Sequence, residues 1–280
     1  MTLRIYIHNV GHGHAVHAFT PNNQSIVIDL GCSKDFSPLK WLKGQTDRID
    51  SLIITHPHGD HIDEILKLDD FHLHQIWRPK WLSESDVRKA NQDSYSDKLD
   101  YYFDMSNNKF IHPISDNELI GNPNISGGVK ITRHYTSTCG TSNINNHSGV
   151  VVFEYHGVKV IIPGDNEPPS WKALLEQSAF VEATKNAHIF LASHHGRESG
   201  YYSELFKTIA PKLCIVSDGR KQNTDAVSRY SYHAEGWPVV NNSDGKSEVR
   251  KCLTTRTDGY VKIEIGKNNT GNSFLSVSKS

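Results

Sequence analysis

No stretch of this sequence is apolar for long enough to span a membrane. That excludes a helical channel and leaves no membrane partner to expect. Cysteine is scarce: Cys32, Cys139, Cys214 and Cys252 lie far apart and form no C-x-x-C pair. Such spacing points to reduced thiols and a cytoplasmic setting rather than a disulfide framework. The opening residues, Met1-Thr2-Leu3-Arg4-Ile5-Tyr6-Ile7, lack the long apolar region and small-residue cleavage site of a secretory signal. Net charge is almost nil, −1 at pH 7, so nothing draws the whole chain towards nucleic acid or an anionic bilayer. No linker-like composition divides the 280 residues. One domain over 1–267 is expected, with a variable insertion at 83–128 and a loose Asn/Ser-rich tail over 268–280.

Histidine, by contrast, is plentiful, with 17 in the chain. Its densest cluster is Thr55-His56-Pro57-His58-Gly59-Asp60-His61-Ile62-Asp63. The apolar run Asp50–Thr55 before it suits a buried strand, and Ile62, Ile65 and Leu66 after it fall at helical spacing. Pro57 and Gly59 keep the intervening loop irregular, so its side chains can converge. Three imidazoles and a carboxylate on one turn suit Zn, Mn or Fe, and would supply half of a two-metal site.

Elsewhere the pattern is two β-rich blocks, each followed by helices. Strands are expected at Leu3–Ile7, Val16–Phe19 and Ser25–Leu30, and a helix over Phe36–Lys43. His72 and His74 alternate with apolar residues and read as an exposed strand face. The second block has strands at Val129–Tyr135, Gly149–Tyr155, Lys159–Ile162, Ala187–Ala192 and Leu213–Ser217. Helical patterns fall at Trp171–Phe180 and Tyr201–Ile209, and a closing hairpin is expected through Cys252–Thr255 and Tyr260–Ile265. The whole fits an α/β sandwich: two sheets packed face to face with helices outside.

A metal site at one edge of such a sandwich needs ligands from several strand ends. Asp165 in Pro163-Gly164-Asp165 and either His194 or His195 in Ser193-His194-His195-Gly196 each follow an apolar strand. Each also sits beside a glycine, as the first loop does. His147, just before the Gly149 strand, is a further candidate, balanced against an ordinary loop histidine.

Taken in order, Asp29 at a strand end, H-x-H-x-D-H, a polar pre-strand segment, P-G-D and H-H-G resemble the metallo-β-lactamase superfamily. More narrowly, the chain is similar to the nuclease-like domain of the competence protein ComEC. The similarity rests on Asn9-Val10-Gly11-His12-Gly13-His14-Ala15, on Asn145 to Val152, and on Arg256-Thr257-Asp258-Gly259. It spans Leu3 to about Ile265. The resemblance implies a four-layer αββα fold with two mixed sheets and two divalent metal ions, Zn or Mn. By the same carry-over, His56 and His58 would hold the first metal; the family's third ligand histidine before the Ser148 strand has no unambiguous counterpart, so either His147 serves or that metal is weakly bound. Asp60, His61 and one of His194 and His195, His194 being favoured, would hold the second; Asp165 would bridge and Asp29 would orient the loop through hydrogen bonds. Two departures stand out: His12 and His14 replace the family's Gln and Asp, and Asn223-Thr224-Asp225 replaces its N-x-H-P.

The implied chemistry is hydrolysis by a hydroxide bridging two metals, without a side-chain nucleophile. Asp60 belongs to that catalytic centre, and His195, His12 or His14 would protonate the leaving group or hold a phosphate oxygen. A phosphodiester, DNA or a nucleotide, is the expected substrate, with protein partners also in view. Hydrolysis of an ester, thioester or amide is the alternative, and a non-catalytic metal-binding subunit the third reading. Lys207, Lys212, Arg220, Lys221 and Arg229, and Lys246, Arg250, Lys251 and Arg256, are close in sequence and form either a basic patch or solvated surface.

Overall fold

A computed structural model describes residues 1–219 and 226–280; Arg220, Lys221 and Asn223-Thr224-Asp225 therefore lie outside the described residues. Two large sheets make the frame. The first has nine strands, ordered Ser247–Arg250, Trp237–Asn241, Ser273–Lys279, Val261–Lys267, Thr2–Ile7, Val16–Phe19, Ser25–Ile28, Ser51–Ile53 and Ile76–Trp77. The second has six, ordered Cys252–Thr254, Leu213–Val216, Ile189–Leu191, Val158–Ile162, Val150–Tyr155 and Lys130–His134. Both are mixed, combining antiparallel pairs with parallel ones such as Val27 beside Leu52 and Phe190 beside Cys214.

Strand alternation decides what each face meets. Leu3, Ile5, Ile7, Ile26 and Ile28 point inward against Val151, Phe153, Val160, Ile189 and Ile215 of the second sheet, all buried. The opposite face of the first sheet, through Val27, Leu52 and Ile54, is covered by Leu39, Leu42, Val87, Leu99 and Tyr102 from helices. That of the second, through Val152, Ile161 and Phe190, is covered by Trp171, Phe180 and Tyr230. Helix, sheet, sheet, helix is the expected four-layer αββα sandwich. Each large apolar side chain removed from water in these layers contributes about 1.5–3 kcal/mol before entropy is counted.

Several local expectations change. Residues after the histidine loop form 3-10 turns, Gly59–His61 and Ile65–Asp70, rather than an α-helix, and Leu66 stays exposed. The pattern over Trp171–Phe180 divides into helices Pro168–Leu175 and Ser178–Thr184. Cys252–Thr254 and Val261–Lys267 do not form a hairpin. A helical turn, Thr255–Asp258, carries the chain from the second sheet to the first, where Val261–Lys267 pairs with Thr2–Ile7. The stretch read as a loose tail is also ordered: Ser273–Lys279 pairs along Val261–Lys267 and buries Val277. His72 and His74 are exposed, as read. Among the described residues no helix is long and apolar enough to cross a membrane.

The candidate metal centre

The H-x-H-x-D-H loop leaves the strand Ser51–Ile53 at one edge of the sandwich, where three other segments meet it. Asp29 follows the strand Ser25–Ile28 in a left-handed conformation, φ 58°, with its N–H donating to Ile53 O at 2.9 Å. Its carboxylate accepts from the Thr55 N–H and hydroxyl, both at 2.7 Å, and faces His61 Nδ1 at 2.8 Å and His14 Nδ1 at 3.0 Å. Four contacts from three neighbours hold one buried carboxylate ionised: burial opposes ionisation, and the two imidazoles outweigh burial and lower its pKa. The glycine turn lies across the same loop, with Gly31 N–H donating to His14 O. A Cβ at Gly31 would stand 2.6 Å from both Asp60 O and His14 N, so only glycine fits there.

With Nδ1 tied to Asp29, His61 presents Nε2 to Asp165 Oδ1 at 3.3 Å. Asp165 follows the strand Val158–Ile162 and stands at the middle of the cluster. Its Oδ2 is 4.0 Å from His56 Nε2, 3.4 Å from His195 Nε2 and 3.8 Å from His194 Nε2. Asp60 Oδ2 lies 3.4 Å from His195 Nε2 and 3.4 Å from His12 Nε2. On the other side His56 Nε2 and His58 Nδ1 face each other at 2.9 Å. One potential ligand atom from each of His56, His61 and Asp165 falls within 4.8 Å of the others, and so it is for His12, Asp60 and His195.

The sequence left His194 and His195 open and favoured His194. The structure brings them to different places. His195 is buried, its Nδ1 directed to Ser217 O at 3.1 Å, which turns Nε2 towards Asp60 and Asp165. His194 also lines the cleft, with Nε2 3.8 Å from Asp165 Oδ2, but that nitrogen is met by Arg197 at 3.1 Å, and Nδ1 by Ser199 Oγ at 3.0 Å and Glu167 Oε1 at 3.1 Å. The divergence comes from two consecutive left-handed residues, φ 50° at His194 and 54° at His195, which send neighbouring rings apart. His147 is not among the side chains whose potential ligand atoms gather within 4.8 Å: its Nδ1 accepts the Trp81 indole hydrogen at 2.9 Å, while its buried Nε2 makes no hydrogen bond. His14, a candidate for the reacting side, instead lies behind His61, with the two rings stacked 5.7 Å apart. His12 does reach the cleft, where Arg197 Nη2 is 3.2 Å from its Nε2.

The donor set suits divalent cations. His61 Nε2 and His195 Nε2 are buried and make no hydrogen bond, although carboxylate oxygens stand near. Burial lowers the pKa of His56 and His58, so each offers a neutral imidazole lone pair, the form that ligates metal. Burial also opposes charge on His195, yet Asp165 and Asp60 raise it to about 9; the two carboxylates demand a compensating positive charge at that spot.

The cleft over this cluster, about 370 Å³, is lined by His12, His58, Asp60, Asp165, Arg197 and residues of the 83–128 insertion. The insertion is thus a wall of the site. Asn91 accepts from Gly59 N–H at 2.8 Å and donates to Pro57 O at 2.9 Å, gripping the metal loop from outside. Tyr95 packs its ring on Gly59. Asn91, Tyr95, Glu167 and Arg197 were missed in the sequence, because their part is set by distant contacts rather than by a motif. Of the seven described basic residues in the two groups close in sequence, five pair with carboxylates: Lys207 with Glu204, Arg229 with Glu198, Lys246 with Asp244, Arg250 with Asp258, and Arg256 with Asp218.

A family model described as the metallo-beta-lactamase superfamily matches residues 9–213. The chain belongs to that superfamily. A curated relative, the UPF0173 metal-dependent hydrolase of Hyperthermus butylicus, is 34% identical over 56 residues, 20% of this chain; the match takes in only 24% of that protein. Among solved structures, Zn²⁺-bound PqqB from Methylobacterium extorquens is 12% identical with a TM-score of 0.46, over 91% of this chain and 98% of that one. CmlA, a diiron β-hydroxylase from Streptomyces venezuelae, is 14% identical with a TM-score of 0.48, over 80% of this chain and 46% of that one. Within the superfamily fold the cluster lies at the sandwich edge where the strand-end loops converge.

Proposed function

We propose that this superfamily member is a two-metal hydrolase of phosphodiesters. His56 and His58 would hold one cation and Asp60, His61 and His195 the other, with Asp165 available to both. Two divalent cations in such a site supply Lewis-acid activation of water and neutralise charge on the substrate. Asp29 keeps His61 oriented with Nε2 forward, and Ser217 O does the same for His195.

The observation that carries the choice of substrate is Arg197. Its guanidinium lines the cleft beside Asp60 and Asp165, and the rings of His12 and His194 steady its two terminal nitrogens. A fixed fork of N–H donors next to the reacting centre suits the oxygens of a phosphoryl group. His12, between Arg197 and Asp60, is placed to pass a proton to the departing oxygen. The pairing of the surface cations favours a short substrate, a nucleotide or small diester, over long DNA, which relies on unpaired basic surface. The ComEC-like reading of the sequence is kept only to this extent: a phosphodiester at a superfamily metal site. The stretch shared with a metal-dependent hydrolase agrees with hydrolysis.

The test is an assay of Zn- or Mn-reconstituted protein on bis-p-nitrophenyl phosphate, on p-nitrophenyl acetate and on single- and double-stranded DNA. Diester cleavage lost in both Asp60→Ala and Asp165→Ala supports the proposal. Acetate hydrolysis without diester cleavage would move the substrate to carboxyl esters. Binding of metal with no turnover on any substrate would leave a non-catalytic module.

A further inference from the structure

A second cavity, of about 330 Å³, opens where the edge strand Ile76–Trp77 of the first sheet approaches the edge strand Lys130–His134 of the other. Its walls combine four aromatic rings, Trp77, Trp81, Phe110 and Tyr135, and the imidazole of His112 with three cations and no carboxylate. Trp81 and Tyr135 stack at 4.3 Å with an interplanar angle of 20°, and Trp77 stands 5.9 Å from Tyr135. The cations are Arg78, Lys80 and Arg133, and no Asp or Glu lines the space.

The two arginines are unusual in what surrounds them. Arg78 is 8% exposed and holds Ser106 O and Asn107 Oδ1 through Nη2. Arg133 holds Ile120 O and Ser51 Oγ through Nη2. These partners are neutral oxygens, joined at Arg78 by the Tyr102 ring 5.6 Å away: they fix the planes of the guanidinium groups and supply no negative charge. Among the described residues neither arginine has a carboxylate within ion-pair distance, and the Nε of each is buried without a hydrogen bond. Burial pushes Arg133 down to about 10, the direction expected of a cation short of counter-charge. Among the other described arginines Arg48, Arg88, Arg229, Arg250 and Arg256 meet carboxylates, whereas Arg4 stands over the Phe19 ring and Arg197 of the metal cleft is held by histidines. Arg78 is buried and Arg133 partly so, and natural proteins rarely keep such guanidinium groups beside a cavity without an anion to answer them.

We infer that this cavity is a binding site for an aromatic anion of the nucleoside monophosphate class, separate from the metal cleft. The ring would lie against the tryptophan and tyrosine faces, and the phosphate would take the charge of Arg78, Arg133 and Lys80. Its volume falls at the small end of ligand sites, suited to one ring system with one anionic group. Trp81 also donates to His147 at 2.9 Å, two residues along the chain from Asn145 of the metal cleft.

The experiment is a titration of the full chain, held metal-free by chelator, with adenosine monophosphate, read by tryptophan fluorescence and calorimetry. We expect saturable binding that survives in Asp60→Ala and Arg197→Met. It should weaken about tenfold or more in Arg133→Gln, and about tenfold for adenosine or inorganic phosphate offered alone. Lys80→Glu, at an exposed position that leaves the fold alone, should weaken it as well and decides the matter if Arg133→Gln fails to fold. No saturation, equal affinity in Lys80→Glu, or loss in Arg197→Met would overturn the assignment. The last of these would place the nucleotide in the metal cleft.

Discussion

Asp29 Oδ2 lies 2.8 Å from His61 Nδ1, and the same carboxylate fastens Thr55 and His14. One residue outside the H-x-H-x-D-H motif thereby sets the tautomer and direction of a ligand inside it. Asn at this position keeps the left-handed backbone and an acceptor, but removes the charge that balances two imidazoles. Asp29→Asn should therefore fold and bind metal about 10–100-fold more weakly. Competition with a chromophoric chelator measures this, and unchanged affinity would remove Asp29 from the support of the site.

His194 and His195 are separable by experiment. His195→Ala should lose about one metal per chain and nearly all turnover, since its Nε2 is the one facing both Asp60 and Asp165. His194→Ala should keep its full metal content and lose mainly substrate affinity, because His194 steadies Arg197. Elemental analysis of both variants decides, and the reverse pattern would exchange their roles.

How far the sequence could lead is visible in these residues. The H-x-H-x-D-H loop was legible because its ligands lie within one turn after an apolar strand, and Asp165 because it repeats that arrangement. The sandwich followed from strand alternation on both sides of the insertion. The choice within His194-His195 was not legible: two left-handed residues in succession separate the rings, and no spacing rule encodes that turn. Asn91 and Tyr95 reach Gly59 from more than thirty residues away, through tertiary packing alone. The supposed closing hairpin failed for a related reason. Its two strands have the local pattern of a pair, but the turn Thr255–Asp258 delivers them to different sheets.

Arg197 is expected to act on substrate rather than on metal. Arg197→Met should leave metal content unchanged and raise KM for a diester about tenfold or more, the worth of a charged hydrogen bond. Hydrolysis of a neutral ester, if any is found, should change little. A drop in kcat at constant KM would instead make the guanidinium a transition-state contact.

Gly59 and Tyr95 are coupled by space. A Cβ at Gly59 would fall 2.2 Å from Tyr95 Cζ, and Gly59 has no positive φ to complicate the comparison. Gly59→Ala should cost about 1–3 kcal/mol through overpacking and disturb the metal loop. Tyr95→Ala should relieve most of that cost, so the double variant is more stable than the sum of its parts. Denaturant melts of the four proteins complete the cycle; strict additivity would mean that the loop and the insertion yield independently.

The pair His8 and His17 makes an acid-sensitive point in the first sheet, apart from the metal cluster. His8 Nε2 and His17 Nδ1 are 3.2 Å apart, buried among Phe36 and Trp41. Burial pushes His8 down to about 4 and His17 well below its ordinary value, the latter helped by His8. Both are thus neutral when folded at pH 7, while the unfolded chain binds protons from about pH 6.5 downward. The folded state binds fewer protons across that window. The stability supplied by the neutral pair is therefore complete above about pH 6.5 and falls as pH drops towards 4, by about 3 kcal/mol for His8. The double variant His8→Leu/His17→Leu should flatten that limb. Comparing denaturant melts of the variant and the parent at pH 7.5, 6 and 5 cancels the other titrating groups, and parallel acid slopes in the two proteins would show that the pair takes up no protons on unfolding.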